Sequence, residues 1–281
     1  MVLFVSDLDG TLLNDSSVIE PTSIDRLNKL IGAGVHFTIA TARAHPSIVN
    51  ILNGLELRLP VIEQNGALLR DCSSGQVVDS RQMSSADVAG VCRVFDEHEA
   101  VPAISTLLED ENIVHYGKVD NSEMEWAVGA MLNVKRARRM VKYETLDEVD
   151  SSSVLLFRYL GPKDRIWSLS ERIGDAVPGL SVSRFYNAFT DGWEINVSSL
   201  EANKGAALQS LRKHADGITS IVVFGDSDND MDMFHHADEA YAVANAIPEV
   251  RQKADAVIGR NTEDAVVGFI EQRVAERLST C

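Results

Sequence analysis

Apolar runs of four or five residues alternate along this chain with longer stretches in which apolar positions recur every three or four residues. Val2-Leu3-Phe4-Val5 and Ile221-Val222-Val223-Phe224 are apolar throughout, the pattern of short strands covered on both faces. The first third of the sequence predicts a strand at 2–6, a helix over about 22–33 ending at Gly34, a strand at 36–40, a helix over about 46–53 and a strand at 61–63. The last third repeats the rhythm, with helix 203–215, strand 220–224, helix 229–236, strand 240–243, helix 248–253, strand 255–258 and helix 264–277. Strands separated by helices pair in parallel through crossover connections, so both ends read as parts of one open α/β sheet.

The middle breaks this rhythm. A helix near 85–98, a strand near 153–160, a helix near 164–176 and strands near 180–186 suggest an inserted α+β domain. Polar passages at Asp79-Ser80 and Thr190-Asp191-Gly192 are the candidate hinges. The expected division is a core of 1–81 with 191–281, and an insertion of 82–190.

Ligands of open α/β sheets bind beyond the carboxyl ends of the strands, and the informative residues fall there. Asp7-Leu8-Asp9-Gly10-Thr11 follows the first strand, Thr41-Ala42-Arg43 the second, Asn65-Gly66 the third, and Gly225-Asp226-Ser227-Asp228-Asn229-Asp230 the strand at 220–224. Carboxylates beside a core strand are costly unless a cation or several donors offset their lost hydration. Asp7, Asp9, Asp226 and Asp230 gathered in one crevice call for a hard divalent cation, and magnesium suits carboxylate oxygens and a phosphorylated ligand. One carboxylate can then attack phosphorus. Asp9, two residues from Asp7, is placed to serve as general acid and then as general base. Thr41 offers a hydroxyl, and Lys204 offers a cation at the start of a helix whose amides add positive potential.

Bulk composition narrows the function classes. The 281 residues are 45% hydrophobic and 24% charged, enough to bury a large core. A net charge of −16 and a pI near 4.8 argue against nucleic acid and anionic membranes as partners. No run reaches the roughly 18 apolar residues of a membrane span, and no secretion signal is visible, so a cytoplasmic protein, monomer or homodimer, is expected. Cys72, Cys92 and Cys281 are odd in number and without Cys-x-x-Cys spacing, which argues against a disulfide framework or a thiolate zinc site. Asn14-Asp15-Ser16 and Asn196-Val197-Ser198 match a glycosylation pattern that has no use without secretion.

The constellation DxDGT at 7–11, Thr41, Lys204 and GDxxND at 225–230 resembles the haloacid dehalogenase superfamily of aspartate-nucleophile phosphatases. Asn65-Gly66-Ala67, Asn203-Lys204-Gly205, Asn245-Ala246-Ile247-Pro248 and Glu263-Asp264 extend the likeness to the Cof-type branch, which carries an α/β cap between its second and third motifs. The resemblance implies a Rossmann-like core with that cap. It implies Asp7 as nucleophile and metal ligand, and Asp9 as acid and base with its backbone carbonyl on Mg2+. Asp226 becomes the other protein ligand and Asp230 a ligand or orienter of metal-bound water, while Thr41 and Lys204 hold the phosphoryl group, Asn229 and Asn65 support the phosphate side, and Arg43 contacts phosphate or pairs with an acid. The implied substrate is a small phosphorylated metabolite such as a sugar phosphate. Ala42 and Ala265 stand where the family usually has glycine, and neither change removes a functional side chain.

Competing readings bear on several of these residues. Asp-x-Asp-Gly alone is an ordinary turn sequence. A calcium loop fails at both motifs, because its sixth and twelfth positions would be Leu12 and Val18, or Met231 and Ala237. Thr41 can also cap a helix, and Lys204 out of context is a solvated lysine. His235-His236 are adjacent on a helix and point apart, which favours surface or helix-end packing over a metal site. His115, Tyr116, Arg158, Arg184 and Tyr186 of the insertion can read the rest of a substrate or simply pack. A phosphomutase or other phosphotransferase would use the same aspartyl-phosphate, and a receiver-like phosphate sensor also gathers Asp, Thr and Lys at strand ends.

Overall fold

The computed structural model describes residues 1–132, 139–214 and 217–279. The chain forms two compact units, Met1–Ser80 with Asn203–Cys281, and Arg81–Ala202.

The first unit is built on β1 (Val2–Ser6), whose five residues are all buried. It lies between β2 (His36–Ile39) and β12 (Ser220–Gly225), with β13 (Glu239–Ala242) and β14 (Ala256–Val257) beyond, in the parallel order β14-β13-β12-β1-β2. The continuous apolar runs are needed because both faces of this sheet are covered. Helices α1 (Pro21–Gly32), α2 (His45–Ile51), α6 (Lys204–Leu211), α7 (Met231–His236), α8 (Pro248–Lys253) and α9 (Ala265–Ser279) complete it. Pro21 starts α1 where its missing N–H costs nothing. The fully buried Leu27 and Ile31 of the same helix each stabilise the core by roughly 1.5–3 kcal/mol.

Two expectations for this unit change. The strand at 61–63, β3 (Val61–Glu63), touches the parallel sheet only through an Ala40–Ile62 bridge, and otherwise pairs antiparallel with β4 (Leu68–Arg70), which pairs with β5 (Val77–Ser80). The helices expected at 203–215 and 229–236 are shorter. The first ends at Leu211 before a turn at Arg212–His214, and Ala215 lies outside the described residues. The second starts at Met231 because Ser227 and Asp230 cap a 3₁₀ turn ahead of it.

The second unit is a six-stranded sheet in the order β10-β11-β9-β6-β7-β8, formed by β6 (Ala103–Leu108), β7 (Glu111–Tyr116), β8 (Arg139–Lys142), β9 (Val154–Gly161), β10 (Leu180–Asn187) and β11 (Gly192–Ser199). All its pairs are antiparallel except β7 with β8. Helices α3 (Ser85–Glu97), α4 (Ser122–Leu132) and α5 (Lys163–Ala176) belong to the same unit. Phe95 of α3 meets Phe157 and Tyr159 of β9 at ring separations of 5.9 and 6.0 Å.

This arrangement moves one expected boundary. Thr190-Asp191-Gly192 is the turn of the β10–β11 hairpin, closed by the Asn187–Gly192 pair, and not a hinge. Strand β11, which the sequence places in the core, alternates Ile195 and Val197 inward and pairs with β9. The chain re-enters the first unit at Asn203. Among the described residues, no helix is long and apolar enough to cross a membrane.

Candidate active site

Parallel pairing of β1 with β12 sets the ends of these two strands side by side, and the Asp7 amide donates to the Phe224 carbonyl (3.0 Å). One carboxylate oxygen from each of Asp7, Asp226 and Asp230 lies within 4.8 Å of the others. The Lys204 ammonium, fully buried, bridges Asp7 Oδ1 (2.5 Å) and Asp230 Oδ1 (2.6 Å). Lys204 reaches them as the first residue of α6, where Asn203 accepts from the Ala206 amide (2.7 Å). Asp230 Oδ2 accepts from the amides of Asp226 (2.9 Å) and Ser227 (3.1 Å), so both of its oxygens are committed.

One ammonium does not balance three carboxylates. Burial, with the charges of Asp230 and Asp226 added, pushes the Asp7 carboxyl up to about 8 although Lys204 pulls it down. Burial, then Asp230, pushes Asp226 up to about 6 against the hydroxyl of Thr11 and the charge of Lys204. Burial alone would lower the lysine, but Asp230 and Asp7 more than offset it and hold the ammonium charged.

The backbone after Asp7 is shaped for close approach. Gly10 takes φ +76°, and a Cβ there would lie 2.4 Å from Asp226 Oδ2, a position that only glycine fills. Asn245 Nδ2 donates to the Gly10 carbonyl (2.7 Å), the Thr11 hydroxyl donates to Asp226 Oδ1 (3.3 Å), and the Ile247 amide donates to the Asp226 carbonyl (2.9 Å). Thr11 and Asn245 orient the triad although neither was singled out as a site residue. Thr11 lies in the DxDGT run and Asn245 in Asn245-Ala246-Ile247-Pro248, and membership of these motifs is the signal the sequence holds for them.

Asp9 departs from the expected metal set. Its side chain, about half exposed, turns to Arg43, which forks onto it with Nε to Oδ2 (2.7 Å) and Nη2 to Oδ1 (2.6 Å). The acidic triad therefore excludes the Asp9 carboxylate. Asp9 in turn holds the Arg43 guanidinium above its usual range. Thr41 is fully buried, and its Oγ1 accepts from the Arg43 amide (3.1 Å). Asn229 Nδ2 donates to Asn65 Oδ1 (2.9 Å), so these two expected phosphate residues meet each other.

His236, at the end of α7, bonds the Asp232 carbonyl through Nδ1 (2.7 Å). The polar residues singled out in the insertion find partners within the second unit. His115 bonds Thr106 (2.9 Å), Arg158 bonds Glu194 (2.6 Å), Arg184 lies over the Trp167 ring (4.7 Å), and Tyr186 donates to Asp191 (2.7 Å).

Residues 4–270 match the family described as haloacid dehalogenase-like hydrolase. The chain is a haloacid dehalogenase-like hydrolase. Two relatives align over nearly their full lengths. The 5-amino-6-(5-phospho-D-ribitylamino)uracil phosphatase YwtE of Bacillus subtilis is 28% identical over 95% of this chain and 96% of its own. The pyridoxal phosphate phosphatase YbhA of Escherichia coli is 26% identical over 94% and 95%. The crystal structure of TM0651 from Thermotoga maritima superposes with a TM-score of 0.78 at 23% identity, covering 96% of each chain, so the fold is shared. For this haloacid dehalogenase-like hydrolase the expected family and fold class both hold: a parallel α/β core, with a second α+β unit inserted between the motif at Thr41 and that at Lys204.

Proposed function

We propose that this hydrolase is a Mg2+-dependent phosphatase that passes the phosphoryl group of a small phosphorylated metabolite to Asp7 and then to water. The observation that carries the reading is the buried Asp7–Lys204–Asp230 bridge at adjoining strand ends. It leaves Asp7 Oδ2 without a lysine partner and a fixed cation beside it.

In the first half-reaction Asp7 Oδ2 attacks phosphorus, forming an acyl phosphate as the bond to the substrate's ester oxygen breaks. Asp9 gives its proton to the departing oxygen. In the second, Asp9, now ionised, takes a proton from water as that water attacks phosphorus, returning Asp7 as carboxylate and releasing inorganic phosphate. The Arg43 fork fixes the direction of the Asp9 carboxyl for both steps. Lys204 and the buried Thr41 hydroxyl would hold phosphoryl oxygens, Arg43 would reach them from its place beside Asp9, and Asn229 and Asn65 would frame them.

The triad suits a hard divalent cation: its donors are all oxygens, its ligand atoms lie within 4.8 Å of one another, and its buried negative charge exceeds that of Lys204. Asp7, Asp226 and Asp230 would hold it together with the Asp9 carbonyl. Magnesium supplies neutralisation of the charge on the phosphoryl oxygens.

The named substrates of YwtE and YbhA are small phosphomonoesters, which supports a small metabolite, a sugar phosphate or similar ester, for this chain. The test is release of inorganic phosphate from a panel of sugar phosphates, nucleotides and phosphorylated vitamin precursors, with and without Mg2+. An added sugar acceptor separates hydrolysis from phosphoryl transfer. A folded protein that releases phosphate from none of them would overturn the proposal.

Asp9→Asn should lower kcat by about 10²–10⁴-fold, the usual worth of a positioned acid and base, measured with p-nitrophenyl phosphate.

Folding stability should also depend jointly on pH and metal. Both raised carboxyls favour the neutral form in the folded state. Their contribution is full below their ordinary value near 3.8, and is lost as pH rises through about 6 for Asp226 and about 8 for Asp7. The melting temperature of metal-free protein should therefore fall between pH 5 and 8.5 more steeply than that of Asp7→Asn. Mg2+ should restore several degrees at pH 8.5 and little at pH 5. Equal metal effects at both pH values would contradict this.

A further inference from the structure

Glu63, Arg70 and His45 form a polar cluster that the catalytic reading leaves unused. Glu63 closes β3 with 0% of its surface exposed, and a carboxylate at that depth costs several kcal/mol unless it is paired. One oxygen accepts from Arg70 Nε (3.3 Å), and the other meets His45 Nδ1 (2.8 Å). Arg70, itself buried in β4, already balances the charge of Glu63. The histidine contact is therefore surplus to neutralisation. An ionised carboxylate only accepts, so Nδ1 of His45 is the donor.

The purpose of this contact is visible in what each partner is attached to. His45 opens α2 directly after Thr41–Ala44, the segment that carries Thr41 and Arg43. Glu63 directly precedes Gln64 and Asn65, which hold φ of +50° and +55°, a left-handed conformation that side chains rarely adopt and that persists only when its surroundings enforce it. The two segments are laced by backbone bonds: Thr41 N to the Ile62 carbonyl (2.8 Å), Asn65 N to that of Thr41 (3.0 Å) and Gln64 N to that of Arg43 (3.0 Å). The His45–Glu63 bond is the side-chain stitch at the far end of the same seam.

We propose that His45 and Glu63 form a strap that positions Arg43 for the phosphoryl group. The inference rests on the phosphatase reading above. His45 is a positioning residue: it holds the backbone from which the Arg43 fork projects and acts on the ligand only through Arg43. Misplacing a binding group by about 1 Å can cost as much as 10²-fold, so a strap of this kind has a measurable effect.

The test compares His45→Ala, His45→Asn, Arg43→Ala and the double variant His45→Ala with Arg43→Ala. His45→Ala should raise KM for p-nitrophenyl phosphate and Ki for orthovanadate about tenfold, with kcat changed less than about threefold. His45→Asn, whose amide nitrogen stands where Nδ1 stood, should retain parental values within about twofold. In the Arg43→Ala background His45→Ala should add nothing, because the residue through which it acts is gone. In hydrogen exchange, the Gln64 and Asn65 amides of His45→Ala should exchange at least about tenfold faster, while those of β12 stay unchanged. The proposal is overturned if His45→Ala lowers only the melting temperature, if its effect persists undiminished without Arg43, or if His45→Asn is as impaired as His45→Ala. The exchange measurement needs no turnover. A parent chain that hydrolyses no phosphomonoester would sink the phosphatase reading, while amide protection would still decide whether the strap exists.

Discussion

Replacing Asp7 by asparagine is expected to lower kcat/KM with p-nitrophenyl phosphate by on the order of 10⁴-fold or more, the scale seen when a covalent nucleophile is removed. Asparagine has nearly the same shape but cannot form the acyl phosphate. The substitution should leave the fold intact, because the environment already disfavours charge at this position: burial pushes the carboxyl up to about 8. A neutral amide keeps an oxygen for Lys204 and removes the repulsion from Asp230 and Asp226. Metal-free Asp7→Asn should therefore melt no lower than the parent at pH 8. A variant that folds and turns over at the parental rate would rule out Asp7 as nucleophile. A variant that fails to fold would contradict the account of the charge at this site.

The acids at strand ends were legible because their positions depend only on strand order. Once Leu3-Phe4-Val5 and Ile221-Val222-Val223 are read as buried parallel strands, Asp7 and Asp226 must emerge on one edge, and the register of β1 with β12 places them together. Side-chain direction is a different matter. The strand ends at Ser6 and Leu8–Leu12 forms a turn, so the alternation of an extended strand no longer applies at Asp9, which faces Arg43 instead of the triad. The insertion was legible as an insertion, but its far edge was not. Thr190-Asp191-Gly192 is equally good chemistry for a hairpin turn and for a hinge, and only the pairing of β11 with β9 decides between them. The His45–Glu63–Arg70 cluster left no local signal, since its members come together through the turn after β2 and the β3–β4 hairpin.

Lys204→Met is expected to be the most damaging change to stability in the core, since methionine fills much of the same space and carries no charge. Lys204 is fully buried and is the cation shared by Asp7 and Asp230. Removing one side of a buried ionic cluster typically costs about 3–5 kcal/mol because the remaining charges stay desolvated. The cost should depend on pH in a stated direction. Without the ammonium, nothing offsets the burial that raises the Asp7 carboxyl, so the neutral form persists to higher pH. The variant should then approach the parent near pH 5 and diverge from it above pH 8, as the unfolded chain gives up a proton that the folded state still holds. Mg2+ should recover part of the loss at pH 8 by supplying the missing positive charge. Activity should still fall by about 10²–10³-fold with the metal present, because a fixed donor to the transferring group is gone. Arginine should not rescue, since a planar guanidinium cannot occupy a space shaped for a compact ammonium 2.5 Å from Asp7 and 2.6 Å from Asp230. The checks are denaturant midpoints at pH 5 and 8.5 with and without Mg2+, alongside kcat/KM. Parental stability of Lys204→Met at the higher pH without metal would show that the three carboxylates do not depend on this lysine, and the electrostatic account of the site would fall with it.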